Sequence, residues 1–425
     1  MATRRTLILA LASAAGMATA ARIAPVAAQR AAAPRSDLSP DENFAVEHEI
    51  GRRFRFDPAS LPPPGLQRSV SNGPRTVAYA GQGLNVPPGF TATHFATGVR
   101  NPRRILVLAN GDVLVAQQSQ SQVALLHDDG GGRAASNERY AGGFNEPYGL
   151  AWRGSELLVA DQDGLWRVSG QGGRPEPITR QGVFGADSGH RNRPIAIDPR
   201  SGALFAGVGS MGNIAVEPEP KATVQYFAPD GSGQTTYAAG ARNPTTLAIH
   251  PQTGELWAGV QERDGLGDNL PSDYLIRVRQ GGFYGWPYAY LGPNPQPGFA
   301  ERAPDRVAAT IVPDLLFQAH SSVLDLIFYE GAQFPPQYRG GAFAALKGSW
   351  NRSLPTGYKV VFVPFQNGQP AGHYENFATG FWTSGERRAD VWGRPAALAV
   401  ARDGSLLVGD DTGGTIWRIA YGGGR

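Results

Sequence analysis

The sequence predicts an all-β protein: a six-bladed β-propeller of four-stranded antiparallel blades, closed by an N-terminal strand. Three observations carry that expectation. Glycine (56) and proline (34) are abundant in 425 residues, and no long amphipathic helical stretch appears after the first thirty, the signature of many short strands and tight turns. A proline-led phrase recurs along the chain. The last copy ends one strand short, and a spare strand precedes the first copy.

The phrase is a proline, two residues, an aliphatic pair or alternation, a turn and a second short apolar strand. It begins at Pro102, Pro147, Pro194, Pro244 and Pro395, and the first four are 45, 47 and 50 residues apart. Between Pro244 and Pro395, Ser322-Val-Leu-Asp-Leu-Ile-Phe328 supplies the remaining copy, flanked by longer insertions. Asn110-Gly111 and Asp403-Gly404 are hairpin signals within copies. The final copy stops after Thr415–Tyr421, its third strand, and Phe90–Phe95 is free to become its fourth. Such pairing joins the chain ends and removes an open sheet edge.

The ends read differently. Arg4 and Arg5, an apolar run from Leu7 to Ala12 and the small residues Val26-Ala-Ala28 predict a signal peptide over residues 1–28, and hence a periplasmic or secreted protein by either the general secretory or the twin-arginine route. The apolar run is too short to span a bilayer, so no stable membrane insertion is expected. Residues 29–85, rich in Pro, Arg and Ala, read as an irregular N-terminal arm, leaving 86–425 for the propeller.

The formal net charge of +3 includes three arginines in residues 1–28 with no acidic residue to offset them, so the remainder is close to neutral. Without a basic stripe, no nucleic-acid partner is expected. The absence of cysteine excludes disulfides, thiolate zinc, iron–sulfur clusters and covalent c-type haem. Redox chemistry would need a bound organic cofactor.

In an antiparallel meander, loops entering each first strand and loops leaving each second strand share one edge. That edge collects Asn101, Glu146, His190, Arg242, Asn243, His320 and Arg394 from entering loops. Gln117, Asp161, Glu262 to Asp268, Lys347 and Asp410-Asp411 come from leaving loops. Cations aimed at one axis repel unless an anion joins them. Arg242, Lys347 and Arg394 therefore predict a multiply anionic ligand. His250, before a proline in a turn, is expected at the solvent, and Trp286 and Trp350 are expected to pack.

From about Val86 to Tyr421 the chain resembles the glucose/sorbosone dehydrogenase family, soluble quinoproteins that use pyrroloquinoline quinone (PQQ) and calcium. The resemblance rests on Arg242-Asn-Pro-Thr-Thr-Leu-Ala248, Gln261-Glu-Arg-Asp-Gly-Leu-Gly-Asp268 and Gly281-Gly-Phe-Tyr-Gly-Trp-Pro287. Tyr338-Arg-Gly-Gly-Ala-Phe343, Gly348-Ser-Trp-Asn-Arg352 and Trp392-Gly-Arg-Pro395 add to it, and the sorbosone dehydrogenase-like branch is the most similar.

The resemblance implies PQQ- and Ca²⁺-dependent oxidation of a sugar, sugar aldehyde or polyol, with electrons passing to a separate acceptor. It implies His190 as general base, Arg242 beside the reacting quinone oxygen, and Asn243, Lys347, Arg394 and His320 as cofactor contacts. Asp268, with backbone carbonyls near Arg263 and Asp264, would serve the cation, hard oxygen donors suiting calcium. Two departures stand out. The soluble glucose dehydrogenases carry Arg where this chain has Trp392, and Gly-Pro where it has Arg263-Asp264. Alternatives from other classes are a metal-dependent lactonase on a similar propeller and a non-catalytic binding propeller.

Overall fold

A computed structural model describes residues 43–186 and 189–422. The predicted signal peptide and the first part of the arm lie outside the described residues.

Six principal sheets follow one another along the chain. Each begins at a predicted phrase: Pro102–Val107, Gly149–Arg153, Ile195–Ile197, Asn243–Ile249, Val323–Phe328 and Pro395–Val400. Within each sheet, strands pair antiparallel in sequence order. Register shifts by one residue after Pro102, Pro244, Val323 and Pro395. A proline has no N–H to give the ladder, so a bulge at that position preserves the pairing beyond it. The bulge coincides with proline at Pro102, Pro244 and Pro395, Val323 makes one without proline, and the period of the phrase is the sheet period.

Phe90–Thr97 pairs antiparallel with Thr415–Tyr421 as the outer strand of the last sheet, the pairing expected from the sequence. The sheets neighbour one another through their first strands. Pro102–Val107 lies against Gly149–Arg153, and the relation repeats around to Pro395–Val400, which lies against Pro102–Val107.

Apolar clusters occupy the spaces between successive sheets. Leu114, Val123, Leu157 and Val159 fill one such space, and Val115, Ala124, Leu407 and Ile416 another. Near the first strands the packing turns polar: Asp325 accepts from Arg104, from Thr246 Oγ1 at 2.9 Å and from the Leu398 amide at 2.8 Å. One buried carboxylate thus ties four sheets, as buried charges require.

The described arm residues are ordered against these sheets. The short helix Phe44–His48 inserts Glu47, whose Oε2 lies 2.8 Å from Lys359 Nζ, with both side chains at most 2% exposed. Arg53–Phe54 adds a fifth strand to the sheet that begins at Val323.

Candidate active site

Paired residues at strand ends confirm which loops share an edge: Asn243 faces Gln261, Val323 faces Leu346, and Pro395 faces Asp410. Several loops there use one local device. Asp161 accepts from the amides of Asn145, Asp163 and Gly164, and Asp410 from those of Arg394, Thr412 and Gly413. Asp273 accepts from Glu262 and Ser322 in the same way. These carboxylates hold the loops that carry the candidate side chains, and their hydrogen bonds satisfy buried amides.

His190 follows Gly189, whose φ is +76°. A Cβ on Gly189 would come within 2.3 Å of Met211 Cα, so only glycine fits. His190 Nδ1 lies 2.9 Å from Ser210 O. A carbonyl only accepts, so Nδ1 carries the proton and Nε2 keeps its lone pair. Among the described residues nothing bonds Nε2. Burial, then the charge of Arg242, lowers the His190 pKa to about 4, which leaves the ring neutral near pH 7.

Arg242 is 5% exposed. Its guanidinium donates to Asn213 O at 3.0 Å, to Asn213 Oδ1 at 3.2 Å and to Glu262 O at 2.8 Å. Burial lowers its pKa, opposed by Glu262, Asp264 and Asp273. Burial likewise pushes Glu262 and Asp273 up to about 7. Asn243 is fully buried and donates to Gln261 Oε1 at 3.0 Å. A Cβ on Gly209 would lie 2.5 Å from Asn243 Oδ1 and 2.6 Å from His190 Cβ, so this glycine lets the two residues close in.

Lys347 and Arg394 form a second group. Lys347 Nζ lies 2.6 Å from Asp411 Oδ2, and Arg394 donates to the carbonyls of Lys347 at 3.1 Å and Gly348 at 2.8 Å. The sequence reading missed Arg103, whose Nη1 lies 3.0 Å from the same Asp411 oxygen. Burial first, then Arg103 and Arg394, brings Lys347 down to about 8 despite Asp411. Asp411 is held below the usual carboxylate range: burial opposes this, and the neighbouring cations prevail. Burial raises Asp410 to about 6. Three enclosed cations thus face one firmly ionised carboxylate, and among the described residues Arg103 Nε is buried without a hydrogen-bond partner. That excess charge and that orphaned donor fit an anionic group.

The two groups are joined by a thread of hydrogen bonds. Gln261 accepts from Asn243 and donates to Ser322 Oγ at 2.9 Å, and the Lys347 amide donates to Ser322 O at 2.9 Å.

The proposed cation ligands are engaged with neighbouring side chains and amides. The Asp264 carbonyl accepts from Asn213 Nδ2 at 3.0 Å and from Arg263 Nε at 2.9 Å. The Asp264 carboxylate accepts from Asn351, and both Asp268 carboxylate oxygens face the Ser353 amide, at 3.1 and 3.0 Å. Among the described residues no group of three or more His, Cys, Asp or Glu is placed to hold a metal ion. The donors suit calcium by type but do not form a cage in this arrangement.

His320, at φ +66°, is bonded to the loop that carries Asp264 and Asp268. Its Nε2 donates to Gly267 O at 2.8 Å and its Nδ1 accepts from Asn351 at 3.1 Å. Both ring nitrogens therefore hold loops together.

His250 corrects the sequence reading: it is 1% exposed and packs edge-on against Phe328 and tilted against Phe365, with ring centroids 4.6 and 5.6 Å away. Trp286 packs as expected and donates to Asn213 O at 3.2 Å, whereas Trp350 is 49% exposed. Trp392 is buried against Phe381 and Trp417 and donates to Gly380 O at 2.8 Å, so it adds no charge to the cluster.

Residues 206–354 match the Glucose / Sorbosone dehydrogenase family model, and residues 302–422 the TrAA12-like model. An uncharacterized protein of Borreliella burgdorferi is 31% identical over 235 residues, 55% of this chain and 61% of that relative, so the match spans less than two thirds of its length. Among solved structures, the chain is similar to the holo PQQ domain of pyranose dehydrogenase from Coprinopsis cinerea (TM-score 0.66, 20% identity, 82% of this chain and 99% of that one). It is also similar to a calcium structure of a Carbohydrate-Active Enzymes Family AA12 protein from Trichoderma reesei (TM-score 0.67, 19% identity, 81% and 100% covered). At these identities the structures establish a shared all-β fold, and the family match bears out the resemblance read from the sequence.

Proposed function

We propose that this chain is a PQQ-dependent dehydrogenase of sugars, sugar aldehydes or polyols, built as a six-bladed β-propeller whose Phe90–Thr97 strand completes the last blade. The observation that carries the reading is the enclosed excess of positive charge at Arg103, Lys347 and Arg394, joined through Ser322 and Gln261 to the group that holds Asn243, Arg242 and a neutral His190. A tricarboxylate such as PQQ supplies the counter-charge this group lacks. The family match at 206–354 and the pyranose dehydrogenase likeness support the same cofactor.

Lys347, Arg394 and Arg103 would hold carboxylates, while Arg242 and Asn243 would face the redox end. When bound, PQQ supplies a carbonyl carbon able to accept hydride. His190 Nε2 takes the proton from the substrate hydroxyl, because its lone pair is free and Nδ1 is anchored on Ser210. Arg242, enclosed and held by neutral carbonyls, keeps its charge directed at developing negative charge. Calcium is the cation suited to Asp268 and the Arg263–Asp264 turn. These donors bond Asn213, Asn351 and Ser353 in this arrangement.

The sorbosone dehydrogenase-like branch remains the preferred substrate class on the motifs named above. Secretion to the periplasm or beyond fits residues 1–28, and no helix among the described residues is long and apolar enough to cross a membrane. Apo-protein supplied with PQQ should bind it and reduce an artificial acceptor when given an aldose, a sugar aldehyde or a polyol. Absence of quinone binding rejects the proposal, and binding without turnover on any of these points to a non-catalytic binder.

A further inference from the structure

The two loops that frame the proposed site, 262–270 and 348–357, are cross-tied. Asn351 bonds Asp264 and His320; Arg352 donates to Asp268 O at 3.1 Å and also to Asn269 Oδ1. The Ser353 amide faces Asp268. Gly348, at the start of the second loop, accepts from Arg394. Neither loop forms a strand or helix over this stretch. The first contains Gly265 and Gly267, at φ +95° and +133°, so its ordering carries a large entropic cost.

The arm meets both loops. The Gly65 amide donates to Leu266 O at 2.8 Å, and Gln67 Oε1 accepts from the Asn269 amide at 3.1 Å. A Cβ on Gly267 would come 3.0 Å from Gln67 O, so the arm lies close over this glycine. Five residues on, Asn72 Nδ2 is near three carbonyls: Arg352 at 3.0 Å, Ser353 at 3.3 Å and Arg387 at 2.7 Å. The Asn72 amide donates to Trp350 O at 2.6 Å. Arg53–Phe54 upstream and Arg75–Thr76 downstream are each paired to a strand, which fixes the segment at both ends.

We propose that arm residues 65–72 act as a brace that sets the geometry of the cofactor-facing loops, with Gln67 and Asn72 as positioning residues. A side-chain amide facing three carbonyls gathers the 352–353 turn and the 387 turn on one donor group. Gln67 holds the facing loop, so both sides of the cross-tie are anchored on one short segment. The effect runs through Gly348 O to Arg394, and so to anion binding, and through Glu262 O, which accepts from Arg242 at 2.8 Å, to Arg242. It leaves His190, on loops the brace does not touch, unchanged. The part of this inference that concerns turnover rests on the dehydrogenase reading, and the part that concerns loop order does not.

The test compares the full chain with its Asn72→Asp and Gln67→Ala variants. Asn72→Asp keeps the shape and removes the donor, placing a carboxylate against three carbonyls. Amide hydrogen exchange should accelerate at least about tenfold in 262–270 and 348–357, with the strands of the first three sheets unchanged. The PQQ dissociation constant should rise about tenfold, by more than kcat at saturating PQQ falls. Unchanged exchange in both loops overturns the brace, as does a fall in kcat at unchanged quinone affinity. If Asn72→Asp does not fold, Gln67→Ala alone decides on the same readouts. A wild-type chain that binds no PQQ yet shows faster loop exchange in the variants rejects the dehydrogenase reading and retains the brace.

Discussion

Replacing Asp411 with Asn removes the one firmly ionised carboxylate from a group containing three cations. Asp411 Oδ2 is 2.6 Å from Lys347 and 3.0 Å from Arg103, and its side chain is 4% exposed. Breaking a buried pair by removing one partner costs about 3–5 kcal/mol. Lys347 limits the damage: its pKa of about 8 already lies near neutrality. Without Asp411 the amine loses its proton near pH 7, capping that share of the loss near the ~1.4 kcal/mol that each pKa unit represents.

A net loss of about 3 kcal/mol should lower Tm by roughly 4 °C, at about 2.1 cal/mol/K of unfolding entropy per residue over residues 43–422. Thermal melts at pH 7 and low salt, with and without PQQ, measure it. The quinone should raise Tm more in Asp411→Asn than in the wild type, because a ligand carboxylate takes the vacated position. An identical deficit with and without PQQ would show a purely structural ion network, and the anion-site argument would fail.

Three further outcomes follow from the same geometry. His190→Gln should lower turnover by about 10²–10⁴ with quinone affinity little changed, as single-turnover kinetics and an equilibrium titration would show. Buried His190 has its pKa lowered from 6.5 to about 4, so between those values the unfolded chain binds the proton and the folded chain does not. Its contribution is complete above pH 6.5 and is lost as pH falls toward 4, by at most about 3 kcal/mol; acid melts of His190→Gln should lack that component. Glu47→Gln should cost about 3–5 kcal/mol by leaving Lys359 enclosed without its partner. Burial lowers the Lys359 pKa, so the variant's stability should rise with pH as the unfolded chain gives up the proton that the folded chain does not hold; denaturant titrations across pH check this.

The sheet plan was legible because its signal is local. At Pro102, Pro244 and Pro395 a proline opens the first strand and the register shifts by one residue, so three of the six first strands carry this local mark. The spare Phe90–Phe95 strand was likewise readable from its pattern, and it pairs where expected.

The site was legible to the extent that its residues sit at loop positions fixed by that phase. Arg103 escaped because it lies inside a strand beside Arg104. One of the pair meets Asp411 and the other Asp325, and alternation cannot say which arginine reaches which carboxylate. His250 was misread because its burial depends on Phe328 and Phe365, more than seventy residues away in sequence. The contacts of Gln67 and Asn72 with the working loops depend on the path of an irregular segment, which has no periodicity to read.

The central claim is that the group around Lys347 and Arg394 receives a polycarboxylate quinone. Equilibrium titration of quinone-free protein with PQQ in the presence of Ca²⁺, followed by absorbance, tests it most directly. One quinone should bind per chain, with affinity falling at least about tenfold in Lys347→Met and again in Arg394→Met. Binding that is absent, or that persists unchanged in both variants, would contradict the account.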